Sequence, residues 1–284
     1  MSDRLSVRKT YKLYVGGAFP RSESGRSYTV NDAKGNFLAN ASRASRKDAR
    51  DAVVAARKAQ SGWAGRTPYN RGQILYRVAE MLEGRRDQFT DELRATGLTK
   101  AAAGTEVDAA VDRWVWYAGW ADKFAQITGT ANPVSGPFFN FSTPEPSGVV
   151  GIIAPDGPLL GLVSVLAPVI VTGNTAVLVA SEPSPLPAIT LGEVLATSDV
   201  PGGVVNILTG HRAELAPWLA SHMDVNALDL TGAGDVLAAE CEEAAADNLK
   251  RVLRPARGDW TDDPGIHRMT SFLETKTVWH PVGV

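Results

Sequence analysis

Residues Gly148–Gly210 read GVVGIIAPDGPLLGLVSVLAPVIVTGNTAVLVASEPSPLPAITLGEVLATSDVPGGVVNILTG and alternate between short apolar runs and helical stretches. The runs of strand length are Val149–Ile153, Thr175–Val179 and Val204–Leu208. The helices predicted between them are Leu159–Thr172 and Leu186–Ala196. Strand, helix and strand in succession make a βαβ unit, and the runs lack period-two alternation, as strands covered by helices on both faces do. The sequence therefore predicts an α/β fold with a doubly wound parallel sheet.

The composition is that of an ordinary globular protein, with 44% hydrophobic and 21% charged residues and a net charge of −2. This charge gives no electrostatic reason to expect nucleic acid or a membrane surface as a partner. Met1–Thr10 lacks the apolar core of a secretory signal. In Pro158–Val179 the apolar helical part is about fourteen residues, fewer than the roughly twenty that span a membrane. One cysteine rules out an internal disulfide, and with four histidines leaves little for a metal site. We expect a cytoplasmic protein without a metal.

Several short motifs within Gly148–Gly210 resemble the cofactor half of the NAD(P)-dependent aldehyde dehydrogenase superfamily. They keep the order and near-identical spacing of that family: Ile152–Leu160, Ala167–Pro168, Gly173–Thr175, Ser181–Glu182, Pro185–Leu186, Pro201–Asn206 and Thr209–Gly210. The resemblance implies a Rossmann-like NAD(P)-binding domain made of residues 11–126 and 147–258. It also implies a small β oligomerisation flap made of residues 127–146 and 266–284.

The remaining elements are predicted from local patterns. Before the flap we expect a hairpin of Tyr11–Phe19 and Arg21–Val30, followed by four helices. Ser45 caps Arg46–Gly62, Asn70 caps a second helix, a third runs through Phe89 and Leu93, and a fourth runs from about Ala101 to Phe124. An aromatic stripe on this fourth helix is predicted to pack in the core or an interface rather than to bind a ligand: Trp114, Trp116, Tyr117 and Trp120. After Gly210 we expect Arg212–Ser221 and Asp235–Asn248 as helices, and Val225–Leu230 and Leu249–Leu253 as strands.

The resemblance breaks after Val252. The family continues there into its general-base glutamate and a whole catalytic domain, whereas Arg254–Pro264 has the composition of a linker. Ile266–Val284 then resembles the family's C-terminal oligomerisation strand. The sequence therefore predicts a chain without the catalytic domain that keeps two assembly segments, Thr128–Thr143 and Phe272–Trp279.

None of the family's three catalytic roles has a matching residue. Its nucleophilic cysteine lies in the missing domain, and the thiolate of Cys241 is disfavoured by the glutamates beside it in its helix. The asparagine that donates to the oxyanion corresponds to Asp156, whose carboxylate accepts hydrogen bonds and repels an alkoxide. The general-base position falls near Pro255. We therefore predict no catalytic residues.

The cofactor positions are only partly kept. Glu182 matches the glutamate that binds the adenosine ribose, but the lysine of that motif is replaced by Val179. Gly210 and Gly232 match glycines near the pyrophosphate, and the serine after the second of them is replaced by Ala233. With Ile152 and Ile153 from the matched strand, the predicted cofactor-binding set is Ile152, Ile153, Glu182, Gly210 and Gly232. We expect no cofactor or weak NAD(P) binding, and His211, His222, His267 and His280 as surface or packing residues.

Three functions are compatible with these residues. The first is a catalytically inactive subunit that assembles with a full-length aldehyde dehydrogenase or with itself, as in the truncated second module of the family-16 type. The second is an NAD(P)-dependent aldehyde oxidoreductase component that takes its catalytic residues from another chain. The third is a nucleotide-binding module without chemistry.

Overall fold

The computed structural model describes residues 9–157, 159–255 and 258–283. Most of the polar start Met1–Thr10, Pro158, two residues of the predicted linker and the last residue of the predicted tail lie outside these ranges. The strands are Ser27–Asn31 (β1), Phe37–Ser42 (β2), Thr130–Asn132 (β3), Phe138–Pro146 (β4), Val149–Ile153 (β5), Thr175–Val179 (β6), Val205–Leu208 (β7), Ala227–Asp229 (β8), Arg251–Leu253 (β9) and Leu273–Pro281 (β10). The helices are Arg46–Ala64 (α1), Pro68–Glu83 (α2), Arg86–Ala95 (α3), Lys100–Trp120 (α4), Phe124–Thr128 (α5), Leu159–Val171 (α6), Leu186–Ala196 (α7), Arg212–Ser221 (α8), Asp235–Ala246 (α9) and His267–Thr270 (α10).

The centre of the molecule is a five-stranded parallel sheet in the order β7-β6-β5-β8-β9. Every residue of β5 and β6 is buried. Successive side chains point to opposite faces, so Ile152 joins one hydrophobic core and Ile153 joins the other. The first core includes residues of α2, α3, α4, α6 and α7, and the second includes residues of α1, α8 and α9. The predicted doubly wound α/β fold is confirmed, and it is Rossmann-like.

The N-terminal hairpin lies later in the chain than predicted. Tyr11–Phe19 forms only isolated bridges, whereas β1 and β2 make the antiparallel pair. Tyr14 exchanges two backbone hydrogen bonds with Ile207 of β7, at 3.0 and 2.6 Å. This early segment therefore bridges the edge of the parallel sheet through Tyr14 and β2 through Tyr11, and it turns back on itself between Val15 and Ala18.

Several boundaries also differ from the prediction. α1 continues through Trp63, whose indole N–H donates to the carbonyl of Ile170 at 2.8 Å and ties the last turn to α6. Thr67, not Asn70, caps α2, because its hydroxyl accepts the N–H of Asn70 at 3.2 Å and Pro68 begins the helix. The helix and the two strands predicted after Val225 are shorter than expected. β9 begins only at Arg251 because Leu249 adopts a φ of 56°.

The aromatic stripe of α4 packs in the core. Trp114 and Tyr117 are fully buried, and Trp116 and Trp120 are partly buried against the same core. This confirms the packing interpretation. None of the helices within the described ranges has the length and apolar content needed to cross a membrane.

The predicted flap is a separate antiparallel sheet in the order β10-β4-β3. β4 and β10 pair over nine residues, from Leu273 opposite Pro146 to Pro281 opposite Phe138. The two predicted assembly segments are thus neighbours, but their bounds shift. Thr128 ends the short helix α5, and Phe272 is buried in the core before β10 begins.

Candidate functional site

The parallel sheet has one topological switch point. The chain proceeds from β5 to β6 and β7 on one side, and then crosses to β8 and β9 on the other. In open α/β sheets, ligands bind at the carboxyl ends of the strands beside such a point. We therefore expect a ligand site beside the loops that follow β5 and β8.

An open cleft of about 710 Å³ lies at this edge, and both Asp156 and Glu182 line it. Tyr28, Arg212 and Leu237 form other parts of its wall. The side chains of Ile152 and Ile153 do not reach it, because both are buried in the cores. Of the predicted cofactor-binding residues, Glu182 is the one whose side chain lines the cleft.

Arg212, the first residue of α8, crosses the cleft. It forms an ion pair with Asp156 and donates to the carbonyl of Gly232 at 2.6 Å. Asp156 also accepts from the hydroxyl of Ser181 at 2.9 Å. The sequence predicted that the carboxylate of Asp156 repels an alkoxide, but it did not predict the arginine that pairs with this carboxylate.

Glu182 is also engaged within the chain. Its carboxylate lies 2.5 Å from Nδ1 of His211 and 3.4 Å from the backbone N–H of Arg212. The ring of Tyr28 lies 5.9 Å from that of His211. Burial raises the pKa of Tyr28, and the negative charge of Glu182 adds to the increase. His211 therefore packs against two residues of the cleft wall, which agrees with the surface or packing role predicted for it.

The two predicted glycines are required by contacts between backbones. The N–H of Gly232 donates to the carbonyl of Ile153 at 2.8 Å, and a Cβ on Gly232 would lie 1.9 Å from the carbonyl oxygen of Ala154. The loops after β5 and β8 thus touch across the switch point. Gly210 has a φ of +146°, and a Cβ there would lie 3.2 Å from the backbone nitrogen of Ala44. Both glycines have structural reasons that need no ligand.

The N-terminus of α6 already holds a carboxylate of this chain. Glu106 of α4 accepts the backbone N–H of Leu160 at 2.7 Å. Burial raises the pKa of Glu106, and this hydrogen bond opposes the increase. Helix N-termini attract anions through free N–H groups and the helix dipole, so Glu106 occupies a position that a phosphate would otherwise favour.

Within the predicted linker Arg254–Pro264, the described residues 258–264 contact α4 and α6. The guanidinium of Arg113 donates to the carbonyls of Trp260 and Asp262, at 2.7 and 3.1 Å, and to the hydroxyl of Ser164 at 2.9 Å. A Cβ on Gly161 would lie 3.1 Å from the indole nitrogen of Trp260, so this side chain covers the start of α6.

A buried ion pair links α10, which follows the linker, to β8. Arg268 of α10 pairs with Asp229 of β8 at 2.7 Å, and its guanidinium lies 5.1 Å from the ring of Trp260. Burial raises the pKa of the fully buried Asp229, and the positive charge of Arg268 opposes the increase. A charged residue in a buried strand needs a partner, and this was the signal in the sequence that could have pointed to the contact.

The structure offers no thiolate at the cleft. Cys241 belongs to α9, and its side chain is fully buried in the second core. Burial raises the pKa of its thiol to about 11, and the charge of Glu240 adds to the increase. In the described part of the chain no group of three metal-ligating side chains is close enough to hold an ion.

Cys241 is expected to resist alkylation in the folded protein. A pKa of about 11 instead of 9.0 reduces the thiolate about 100-fold at neutral pH, and burial further limits access. We expect iodoacetamide to label Cys241 at least about 100-fold more slowly than a free thiol, and normally once the protein is unfolded in urea. Rapid labelling of the native protein would contradict the burial of this thiol.

Comparison with known proteins matches residues 19–256 to the aldehyde dehydrogenase family. Aldehyde dehydrogenase, cytosolic 1 of Elephantulus edwardii is 33% identical over 250 residues, which cover 85% of this chain and 49% of that protein. Retinal dehydrogenase 2 of Homo sapiens is 34% identical over 255 residues, covering 87% and 48%. The NAD⁺ complex of an aldehyde dehydrogenase from Bacillus cereus matches with a TM-score of 0.81 and 28% identity, over 86% of this chain and 50% of that one. The chain therefore spans about half the length of these relatives.

Proposed function

This chain belongs to the aldehyde dehydrogenase family, and on that premise we propose that it is a catalytically inactive subunit that assembles with a full-length aldehyde dehydrogenase. The observation that carries the proposal is the antiparallel sheet β10-β4-β3, whose aromatic side chains are exposed in the isolated chain. Since the family match and the fold cover the cofactor half of the relatives, a full-length relative is the partner we favour. A second copy of this chain is the simpler alternative.

The exposed aromatic residues of the sheet support an interface. Phe138, Phe139 and Trp279 are 41%, 52% and 57% exposed. Phe138 and Trp279 pack edge to face at 5.8 Å, and Phe139 lies 5.4 Å from the ring of Phe141. Successive residues of a strand point to opposite faces, so Phe138 and Trp279 lie on one face of the sheet and Phe139 and Phe141 on the other. Each face therefore carries an aromatic pair, and exposed apolar surface of this kind marks interaction sites. β10 is also an edge strand of nine residues, with β4 its one neighbour among the described strands, and such edges invite pairing with another chain.

The absence of catalysis is proposed from the chemistry of the matched positions. Oxidation of an aldehyde by this family needs a thiolate, a hydrogen-bond donor for the oxyanion and a base. Cys241 is buried with a raised pKa, and Asp156 is a carboxylate paired with Arg212. The position of the base falls near Pro255, which has no titratable group.

Weak or absent cofactor binding is proposed because side chains that could contact a cofactor already have partners within the chain. Arg212 pairs with Asp156 across the cleft, and Glu182 contacts His211. Glu106 accepts a hydrogen bond from the backbone N–H of Leu160 at the start of α6. An NAD(P) molecule would have to compete with these internal contacts. Glu182 could still accept from a ribose hydroxyl if it released His211, so weak binding is compatible with the geometry.

Asp156→Asn is expected to raise the affinity for NAD⁺ about tenfold, because it removes an anion and frees the guanidinium of Arg212 for the pyrophosphate. The measurement is calorimetric titration with NAD⁺ at low and moderate salt. Asp199→Asn, which makes the same change of charge in a different cleft, is the matched control and should leave the affinity unchanged. An unchanged or lower affinity in Asp156→Asn would contradict the proposal that the pairing of Asp156 with Arg212 disfavours NAD⁺ binding.

Inactivity is tested by assaying the purified chain for NAD⁺- or NADP⁺-dependent oxidation of short and long aldehydes, alone and with the co-purified partner. We expect no turnover by the chain alone. A Cys241→Ala preparation is the control, because activity that survives the loss of the one thiol comes from a contaminant or from a different chemistry. Turnover by the chain alone that disappears in Cys241→Ala would overturn the proposal.

Two alternatives have specific observations in their favour. An oxidoreductase component is favoured by the placement of Glu182, Gly210 and Gly232 at one edge of the sheet, and turnover by the complex that exceeds that of the partner alone would support it. A nucleotide-binding module without chemistry is favoured by the open cleft of about 710 Å³. Saturable NAD(P) binding without turnover would support this second alternative. A cytoplasmic location is proposed by analogy with the relative that is named as cytosolic.

A further inference from the structure

Another cleft lies where the beginning of α1 passes the end of α8. Its volume is about 410 Å³, within the range of roughly 300–1,000 Å³ that is typical of sites for small organic ligands. Its walls are formed chiefly by Arg46, Lys47, Arg50, Trp218, Leu219 and His222. Neither the family's catalytic positions nor the exposed sheet contributes to it.

The cleft carries an excess of positive charge. Three cationic side chains line it, and none of the lining residues is acidic. Asp51, just outside, is shared by Lys47 at 3.5 Å and Arg50 at 3.2 Å. Among the described residues no carboxylate pairs with Arg46. One carboxylate therefore faces three cations, which leaves the cleft suited to an anion.

The guanidinium of Arg46 stacks on an aromatic ring and forms no ion pair with a carboxylate of the described residues. Its guanidinium lies 3.3 Å from the ring centroid of Trp218. A guanidinium stacked in this way keeps its N–H edges free for a planar anion. Trp218, Leu219 and Ala49 also supply an apolar floor.

His222 adds a neutral polar group at the rim. Its Nδ1 accepts the backbone N–H of Asp224 at 3.1 Å, and burial lowers its pKa. In the neutral ring the proton is then on Nε2, which can donate to a ligand.

A neighbouring cleft of about 400 Å³ continues the positive surface. It shares Arg46 and Trp218 with the first cleft and adds Arg26 and Arg43. Its acid, Glu214, is already paired with Arg43. The stacked Arg46 and Trp218 thus form the wall common to two cationic clefts, which would allow an elongated ligand to extend from one into the other.

We propose that this pair of clefts binds a small organic anion. The apolar chain or ring of the ligand packs on Trp218 and Leu219, and its carboxylate or phosphate contacts Arg46 and the cations beside it. An acidic peptide is less suited to the first cleft, because the apolar floor calls for an apolar body on the ligand. The proposal is independent of the assembly function.

Calorimetry on the full chain with three matched probes tests the ligand class. Naphthalene-2-carboxylate has both the apolar body and the anion, 2-naphthalenemethanol lacks the charge, and inorganic phosphate lacks the apolar body. We expect naphthalene-2-carboxylate to bind at one saturable site at least about tenfold more tightly than either of the others.

A pair of variants on one helix tests the location. Arg46→Met is expected to weaken binding of naphthalene-2-carboxylate about tenfold, whereas Lys58→Met removes an exposed cation of α1 outside the cleft and should leave binding unchanged. Both positions are exposed, so both variants should fold. Equal binding of all three probes or equal losses in the two variants would overturn the proposal.

Discussion

Replacement of Arg268 by methionine is expected to lower the free energy of unfolding by about 3–5 kcal/mol, because it leaves the carboxylate of Asp229 buried without its cation. Asp229 is fully buried, and the side chain of Arg268 is 13% exposed. The measurement is urea unfolding of the full chain. Arg251→Met removes an exposed pair with Glu274 and is the matched control, for which we expect a loss of about 1 kcal/mol or less.

The loss in Arg268→Met should grow as the pH rises. Burial raises the pKa of Asp229 above its unfolded value of 3.8, and removal of Arg268 takes away a cation that opposes this increase. The native state then binds more protons than the unfolded state, so stability falls with rising pH above the unfolded pKa. We expect a larger loss at about pH 8 than at about pH 5.5, and partial recovery in Asp229→Asn/Arg268→Met. A loss equal to that of Arg251→Met would contradict the role given to the buried pair.

Replacement of Trp279 by glutamate is expected to weaken the assembly about 30-fold or more. Trp279 is 57% exposed on β10 and packs on Phe138. Buried aromatic anchors at interfaces contribute about 2 kcal/mol or more when truncated, which corresponds to this change in the dissociation constant. A glutamate adds the cost of burying a charge. The measurement is the dissociation constant of the isolated complex by sedimentation.

The control for this variant is Met223→Glu, which places the same charge on another exposed apolar residue far from the flap in sequence. It should leave both the assembly and the melting temperature unchanged. If Trp279→Glu associates as tightly as the unaltered chain, the exposed sheet is not the interface.

The parallel sheet was predictable because each of its central strands is a short apolar run bounded by glycine or proline. The bounds of β5, β6, α7 and α8 agree with the prediction residue for residue. The N-terminal hairpin was not predictable in this way, since Tyr14 pairs with Ile207, far away in the sequence. Local patterns specify which residues can extend, but they do not specify the partner strand.

The contacts that Asp156 and Glu106 make within the chain were not predicted, for a similar reason. Arg212 and Asp156 are 56 residues apart, and Glu106 and Leu160 are 54 apart, so nothing in their local sequence links them. The matched motifs singled out Glu182 and Asp156 separately, and the structure places both on the wall of one cleft. They could not indicate that this chain supplies its own partners to both carboxylates.

The measurement that tests the central proposal most directly is the native mass of this chain, purified gently from its own cells, with the co-purifying polypeptides identified. We predict a stoichiometric complex with a full-length aldehyde dehydrogenase, which Trp279→Glu disrupts. A monomer that carries no partner would contradict the proposal that the chain is an assembly subunit.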